Sequence, residues 1–180
     1  MGNTCDSLLT TAYDDPSKLL PKLAESWTIS PDRMTYTFKI RQGLKHPSGN
    51  PVTAEDAAWS MRRIIWLNFG NAASLTQWGF TKENVEAGIR AIDPATLAIT
   101  FDKPYPESLI LPAIFTGRTA FALDKLDILK NAKGDDHGNG WLKTNSSCVG
   151  PYKLRTWTAN DVVILERNEG YWDGRAPLRR

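Results

Sequence analysis

The sequence has little of what enzymes, membrane proteins and nucleic-acid-binding proteins usually require. Its 22 Lys and Arg residues against 20 Asp and Glu residues give a formal charge of +2, without a long run of one sign. A nucleic-acid-binding surface needs clustered cations that face phosphates, so no nucleic-acid partner is expected. The doublets Arg62–Arg63 and Arg179–Arg180 are predicted to be solvated surface charge. No apolar run is long enough for a transmembrane helix, which predicts no membrane span.

No secretory leader is expected at the beginning of this sequence. Met1 and Gly2 are followed directly by polar residues, without a basic start and an apolar core. The chain is therefore expected to be cytosolic unless it derives from an exported parent that has lost its leader. The two cysteines leave the compartment open. Cys5 and Cys148 could pair in one long-range disulfide, although an unpaired buried thiol is favoured for each.

Motifs of catalysis and metal binding are absent as well. The sequence contains no Gly-x-Ser-x-Gly elbow, no Walker loop and no Gly-x-Gly-x-x-Gly turn. His46 and His137 stand in breaker-rich loops without a metal-site spacing, and both are predicted to be surface or turn residues. The loop Asp135–Gly140 lacks the glutamate that closes an EF-hand, so a plain hydrated loop is predicted there. No catalytic residue, metal site, cofactor or enzymatic activity is expected.

Strand, helix and turn signals alternate along the chain. The alternation in Tyr36–Arg41 predicts a strand, and Leu23–Ile29 supplies its hairpin partner. Thr53, followed by acidic residues, predicts a helix that runs to about Leu67. Hairpins are predicted over residues 85–101 and 152–167, and short helices over residues 107–115 and 125–132, the second capped by Asp124. The fold class predicted by this pattern is mixed α and β.

Tryptophan is abundant, with seven residues. The loops at residues 66–80 and 141–147 combine aromatic and polar side chains, as a ligand pocket requires. Packing into a small core is the favoured interpretation for Trp78 and Phe80. Because sugars stack on aromatic rings, a carbohydrate-binding or carbohydrate-active domain is an alternative function.

Several short segments, taken in order, resemble the family-5 solute-binding proteins, the oligopeptide-, dipeptide- and nickel-type receptors of ABC importers. Each segment is weak alone, but their common order along nearly the whole chain is highly specific. The segments are Leu20–Trp27, Tyr36–Gly43, Gly49–Asp56, Val149–Leu154 and Leu165–Trp172.

The resemblance implies a partial periplasmic-binding-protein-like type II fold, in which two lobes close on a ligand. It implies that this chain is an N-terminal fragment: residues 1–19 and 148–180 would belong to the first lobe, residues 20–147 would form an inserted α+β subdomain, and the second lobe would be absent. An exposed apolar face is then expected around the hairpin that precedes Trp172, where it would favour self-association.

The function implied by the resemblance is capture of peptides or similar small solutes for an ABC permease. The exported parent would be periplasmic or located at the cell surface. A truncated, non-binding product is a further alternative, and the isolated chain is expected to bind peptide weakly or not at all. The ligand itself stays open among peptides, nickel chelates, opines and sugars.

Candidate ligand-binding residues are carried over by approximate alignment with the family. Gln77 and Trp78 come first, in the loop that follows the long helix. Thr4, Cys5 and Asp6 come next, beside a helix of the first lobe.

Overall fold

Residues 3–180 are described by a computed structural model of the chain. Two compact units are built from interleaved segments. The central unit comprises Ser7–Gln42 and Thr53–Ala122, and the terminal unit comprises residues 3–6, Gly43–Val52 and Leu123–Arg180. Within residues 3–180, no helix combines the length and the apolar character that crossing a membrane requires.

Antiparallel strands form the framework of the central unit. They are β1 (Leu9–Thr11), β2 (Leu19–Pro21), β3 (Ala24–Ile29), β4 (Thr35–Ile40), β5 (Ile89–Asp93) and β6 (Thr96–Thr100). The first two pair with each other, and the other four form one sheet in the order β3-β4-β6-β5. The predicted strand at Tyr36 and its partner are confirmed. The pairing of Tyr36 with Ile99 joins two predicted hairpins into one sheet.

The helices of the central unit are α1 (Ala54–Trp66), α2 (Ala73–Thr76), α3 (Val85–Gly88) and α4 (Glu107–Phe115). The start of α1 is confirmed, because Thr53 and Asp56 form a capping box. The Asp56 N–H donates to Thr53 Oγ1 at 3.3 Å, and the Thr53 N–H donates to the Asp56 carboxylate at 2.8 Å. The helix packs against β5.

Aromatic rings fill the core between the sheet and α4. Tyr36 and Phe38 are fully buried, and their rings lie 5.4 Å from Phe101 and 4.6 Å from Phe115, respectively. The alternation of β4 explains this arrangement, since every second side chain of a strand points to the same face.

The predicted hairpin at residues 85–101 needs one correction. Its first residues form the helical turn α3, and the strand begins only at Ile89. The Asn84 side chain holds this turn, because its Oδ1 accepts from the Thr81 N–H and its Nδ2 donates to Gly79 O, both at 2.8 Å. A side chain satisfying backbone groups in this way favours a turn over an extended strand.

The terminal unit contains α5 (Lys125–Lys130) and the hairpin strands β7 (Tyr152–Thr158) and β8 (Val162–Arg167). Asp124 caps α5 as predicted, although the helix ends at Lys130 rather than at Ala132. Of the two positions predicted for His46, surface or turn, the structure shows the turn: the Gly49 N–H donates to His46 O at 2.9 Å, and the His46 side chain is buried.

The hairpin exposes apolar side chains, as expected. Trp157 and Val163 face each other across the two strands and are 48% and 54% exposed. Leu154 and Leu165 form another cross-strand pair and are only half-buried. Self-association through these residues stays a prediction.

The lobe boundaries predicted at residues 1–19, 20–147 and 148–180 also stay a prediction, because they refer to a longer, two-lobed protein. The compact units of this chain are bounded at other positions. The strand β2 contains residues 19 and 20 and pairs with β1 inside the central unit.

Candidate ligand-binding residues

Asp6 lies in the terminal unit, where its buried carboxylate contacts aromatic side chains from a distant part of the sequence. Tyr171 Oη donates to Asp6 Oδ2 at 2.8 Å, and Trp172 Nε1 donates to the same oxygen at 3.0 Å. The Asp6 N–H donates to Val149 O at 2.7 Å. Asp6 therefore contacts two distant segments. Its carboxylate binds Tyr171 and Trp172 through hydrogen bonds to a charged acceptor, which are stronger than neutral ones, and its main-chain N–H binds Val149.

The same contacts perturb the Tyr171 phenol. Burial raises the pKa of Tyr171 above its ordinary value, and the negative charge of Asp6 raises this pKa further. The phenol therefore remains a hydrogen-bond donor to Asp6 over a wide pH range.

Cys5 and Cys148 form a disulfide in the terminal unit, so the favoured interpretation as unpaired thiols is wrong. Their Cα atoms are 5.1 Å apart, within the usual range for a disulfide, and both residues are buried. Local sequence patterns could not indicate this pairing, because 143 positions separate the two cysteines.

Thr4 is buried beside the disulfide, with its Oγ1 3.9 Å from Cys5 Sγ. Gly150 packs directly on the backbone here, since a Cβ at this position would lie 2.6 Å from Cys5 N. Asn168 Nδ2 donates to Gly150 O at 3.0 Å and fixes the other side of the glycine. The side chains of Thr4, Cys5 and Asp6 are thus packed inside the terminal unit.

Gln77 and Trp78 belong to the central unit, directly after α2. Gln77 is exposed, whereas Trp78 is half-buried and meets Tyr105 edge-to-face at a centroid distance of 5.1 Å. The Trp78 indole N–H is buried and has no acceptor among residues 3–180. Leaving a buried donor unpaired costs free energy, so packing of the ring must offset that cost.

Trp78 also lines an open pocket of about 240 Å³ in the central unit. Phe80 and Phe101, both buried, have ring centroids 5.3 Å apart. The exposed side chains of Asn84 and Asp102 add polar groups to the lining. The pocket is therefore mainly aromatic, with few polar groups, a composition typical of small-ligand sites.

Sequence reasoning missed most partners of the predicted residues. It singled out Trp78 but did not predict that Phe101 lines the same pocket. It singled out Asp6 but did not predict its hydrogen bonds with Tyr171 and Trp172. The Tyr171–Trp172 pair offered one signal, because buried Tyr and Trp side chains need hydrogen-bond acceptors. Residues 3–180 contain no group of three His, Cys, Asp or Glu side chains arranged to hold a metal ion.

Comparison with known proteins places these features in a family. Residues 18–180 match the family described as bacterial extracellular solute-binding proteins, family 5. The dipeptide-binding protein DppE of Bacillus subtilis is 30% identical over 166 residues, which cover 85% of this chain and 28% of DppE. The periplasmic oligopeptide-binding protein OppA of Salmonella typhimurium is 30% identical over 168 residues, with the same coverage of 85% and 28%.

Solved structures show the same similarity. The substrate-binding domain of an oligopeptide ABC transporter from Bacillus anthracis superposes with a TM-score of 0.74 at 26% identity, covering 96% of this chain and 33% of that one. The periplasmic binding protein DppA of Helicobacter pylori, in complex with the peptide STSA, gives a TM-score of 0.69 at 25% identity, covering 97% and 35%.

These matches confirm the predicted fold class, a mixed α and β arrangement similar to part of a periplasmic-binding-protein fold. The chain spans 28% of the length of the two curated relatives named above. Because the family profile covers residues 18–180, the chain belongs to family 5 of the bacterial extracellular solute-binding proteins.

Proposed function

We propose that the chain is part of the substrate-binding component of an ABC importer, which captures peptides outside the cytoplasmic membrane and delivers them to the permease. The family match over residues 18–180 carries this proposal. Relatives named as dipeptide- and oligopeptide-binding proteins favour peptides over the carbohydrate alternative. The proposal concerns binding and transport, with no chemical step on the ligand.

The disulfide and the chemistry of peptide binding both support extracytoplasmic peptide capture. A disulfide such as Cys5–Cys148 persists in the oxidising environment outside the cytoplasm and is rare inside it. An extended peptide can be held through its main chain, while its side chains occupy hydrated pockets, so that one site accepts many sequences. Preferential binding to a closed conformation would then present the loaded protein to the permease.

Among the predicted ligand contacts, Gln77 has the most accessible side chain. Thr4, Cys5 and Asp6 are buried within the terminal unit, and Trp78 is half-buried. We therefore propose that Gln77 contacts the peptide directly. The buried residues Thr4, Cys5 and Asp6 would contribute through the shape of the terminal unit.

Calorimetry with a pool of tri- to pentapeptides tests the function. It is run on the present chain and on the complete product of the gene that encodes it, with maltose oligosaccharides as the competing ligand class. We expect micromolar or tighter peptide binding by the complete product and much weaker binding by the present chain. Binding of oligosaccharides but not peptides by the complete product would overturn the proposal.

Substitution of Gln77 tests the predicted contact in the same assay. Gln77→Ala is expected to weaken peptide binding by the complete product roughly fivefold, the effect of one lost hydrogen bond. Thr76→Ala is the matched control, because Thr76 is an exposed neighbour in α2. Equal peptide affinities of the two variants would show that Gln77 does not contact the peptide.

A further inference from the structure

The pocket beside Trp78 is part of a continuous aromatic cluster. The ring of Phe101 lies 5.3 Å from Phe80 and 5.6 Å from Tyr105, and Tyr105 meets Trp78 at 5.1 Å. Phe80 and Phe101 are almost completely buried, which fixes their rings. They therefore form a rigid base behind Trp78, which is half-buried and supplies the more accessible aromatic surface of the pocket lining.

A carboxylate lies in the lining of this aromatic pocket. Asp102 is exposed, and its one hydrogen bond within residues 3–180 comes from Tyr105 Oη at the long distance of 3.5 Å. Asp102 forms no ion pair with any residue in this part of the chain. The carboxylate therefore keeps most of its capacity to accept hydrogen bonds from a ligand.

The same aromatic cluster already accommodates a cation. The Lys103 ammonium lies 5.5 Å from the centroid of the Tyr105 ring, within the range of a cation–π interaction. The negative faces of the aromatic rings and the nearby carboxylate of Asp102 both attract positive charge to this surface.

Glycines allow the pocket walls to approach each other closely. A Cβ at Gly79 would lie 2.7 Å from Asp102 Oδ2, and a Cβ at Gly88 would lie 2.8 Å from Phe80 Cε1. Gly79 also has a φ of +88°, a backbone angle that residues other than glycine rarely adopt. Larger residues at either position would displace a group that lines the pocket.

We propose that this pocket binds a small organic cation, with an apolar body against Trp78, whose ring is backed by the Phe80–Phe101 pair, and an ammonium or guanidinium group beside Asp102. The volume of about 240 Å³ is below the 300–1,000 Å³ of typical ligand pockets. It therefore suits a ligand the size of a single ring or a single Lys or Arg side chain. This site is additional to the proposed capture of peptides and does not depend on it.

Three probes of nearly equal size test the charge preference: benzylammonium, benzyl alcohol and benzoate. Each is titrated into the ¹⁵N-labelled chain, and backbone amide shifts are followed by NMR. We expect shifts at Gly88 and Phe101, with benzylammonium binding roughly fivefold more tightly than benzyl alcohol, because a cation–π contact and a surface ion pair add modest affinity. Benzoate is expected to bind most weakly.

Asp102→Asn is expected to reduce the preference for benzylammonium over benzyl alcohol to the part that the cation–π contact supplies, while leaving the binding of benzyl alcohol unchanged. Glu86→Gln is the matched control, because it removes an exposed negative charge of α3 that does not line the pocket. The spectrum of each variant shows whether it is folded. Equal binding of benzylammonium and benzoate, or an unchanged preference in Asp102→Asn, would overturn the proposal. Peptide calorimetry reads out the proposed function separately.

Discussion

At the scale of single residues, the buried carboxylate of Asp6 depends on two aromatic hydrogen-bond donors from a distant part of the sequence. It accepts hydrogen bonds from Tyr171 and Trp172 while the peptide N–H of the same residue is bonded to Val149. Removing one partner from a buried polar cluster leaves the others unsatisfied, which costs more than the net value of the lost bond. The integrity of the unit is therefore sensitive to conservative substitutions here.

Tyr171→Phe gives a prediction that depends on pH. At pH 7 the variant is expected to lower the free energy of unfolding by about 1–3 kcal/mol, because Asp6 loses a donor. The pKa of Tyr171 is raised in the folded protein, so its contribution to stability is fully present below the ordinary tyrosine pKa of about 10 and declines as pH rises above it. The difference between wild type and variant should therefore narrow from pH 8 to pH 11.

Urea denaturation at several pH values measures this difference. Tyr13→Phe is the matched control, because Tyr13 is fully exposed and its substitution should change stability by less than about 0.5 kcal/mol. A constant or widening difference between wild type and Tyr171→Phe at alkaline pH would contradict the assigned role of the phenol.

Single-residue environments were the least predictable part of the sequence. The prediction of solvated charge at Arg62–Arg63 is wrong for Arg63, which is buried with its guanidinium 5.8 Å from the Trp59 ring and 5.1 Å from the Phe69 ring. Arg62 pairs with Glu55 at 2.6 Å. Charge alone predicts that an arginine is exposed, but its planar guanidinium can also stack on aromatic rings. The sequence of the Arg62–Arg63 doublet does not indicate which rings lie beside it in the fold.

At the scale of elements, local capping signals were reliable. Thr53 and Asp124 each accept a backbone N–H at the start of a helix, as their sequence contexts predicted. Elements that depend on tertiary contacts were missed. The strands β1 and β2 have three residues each, too few for a periodic pattern, and α3 replaces the start of a predicted strand.

Asp124 also connects α5 to the Gly43–Val52 segment of the terminal unit. Its carboxylate accepts from Asn50 Nδ2 at 3.1 Å and from Ser48 Oγ, in addition to the Asp127 N–H at 3.0 Å. Asp124→Ala is therefore expected to lower the free energy of unfolding by about 1–3 kcal/mol, more than the loss of a simple helix cap.

Thermal and urea denaturation check this value. Asp124→Asn should lose less stability than Asp124→Ala, because its amide oxygen can still cap the helix. Asp135→Ala, at an exposed acidic residue of the same unit, serves as the control. If Asp124→Ala were as stable as this control, the carboxylate would not hold the loop and the helix together.

At the scale of the whole molecule, the order of the segments that resemble family 5 predicted more than periodicity did. Local patterns indicated only a mixed α and β chain, whereas the resemblance of Leu20–Trp27 and the later segments to family 5 led to the fold class that the solved structures share. The pairing of β4 with β6 and the disulfide could not be derived in this way, because both join residues far apart in sequence.

Removing the disulfide tests how far the terminal unit depends on it. The double variant Cys5→Ser/Cys148→Ser is expected to lose about 2–5 kcal/mol of stability, since the crosslink restricts a long loop in the unfolded chain. Urea denaturation of the wild type with and without dithiothreitol should reproduce the loss, while the double variant should not respond to the reductant. Alkylation of two thiols in the untreated wild type would refute the crosslink.

The position of this crosslink sets an order of events for a chain that emerges from the ribosome from its first residue onward. At 5–20 residues per second, Cys5 precedes Cys148 by roughly 7–30 s, because 143 positions separate them. Cys5 carries a free thiol during that interval, and both segments of the central unit, Ser7–Gln42 and Thr53–Ala122, have emerged before Cys148 does. The central unit can thus fold from residues that have already emerged, whereas the terminal unit cannot form its crosslink until Cys148 follows.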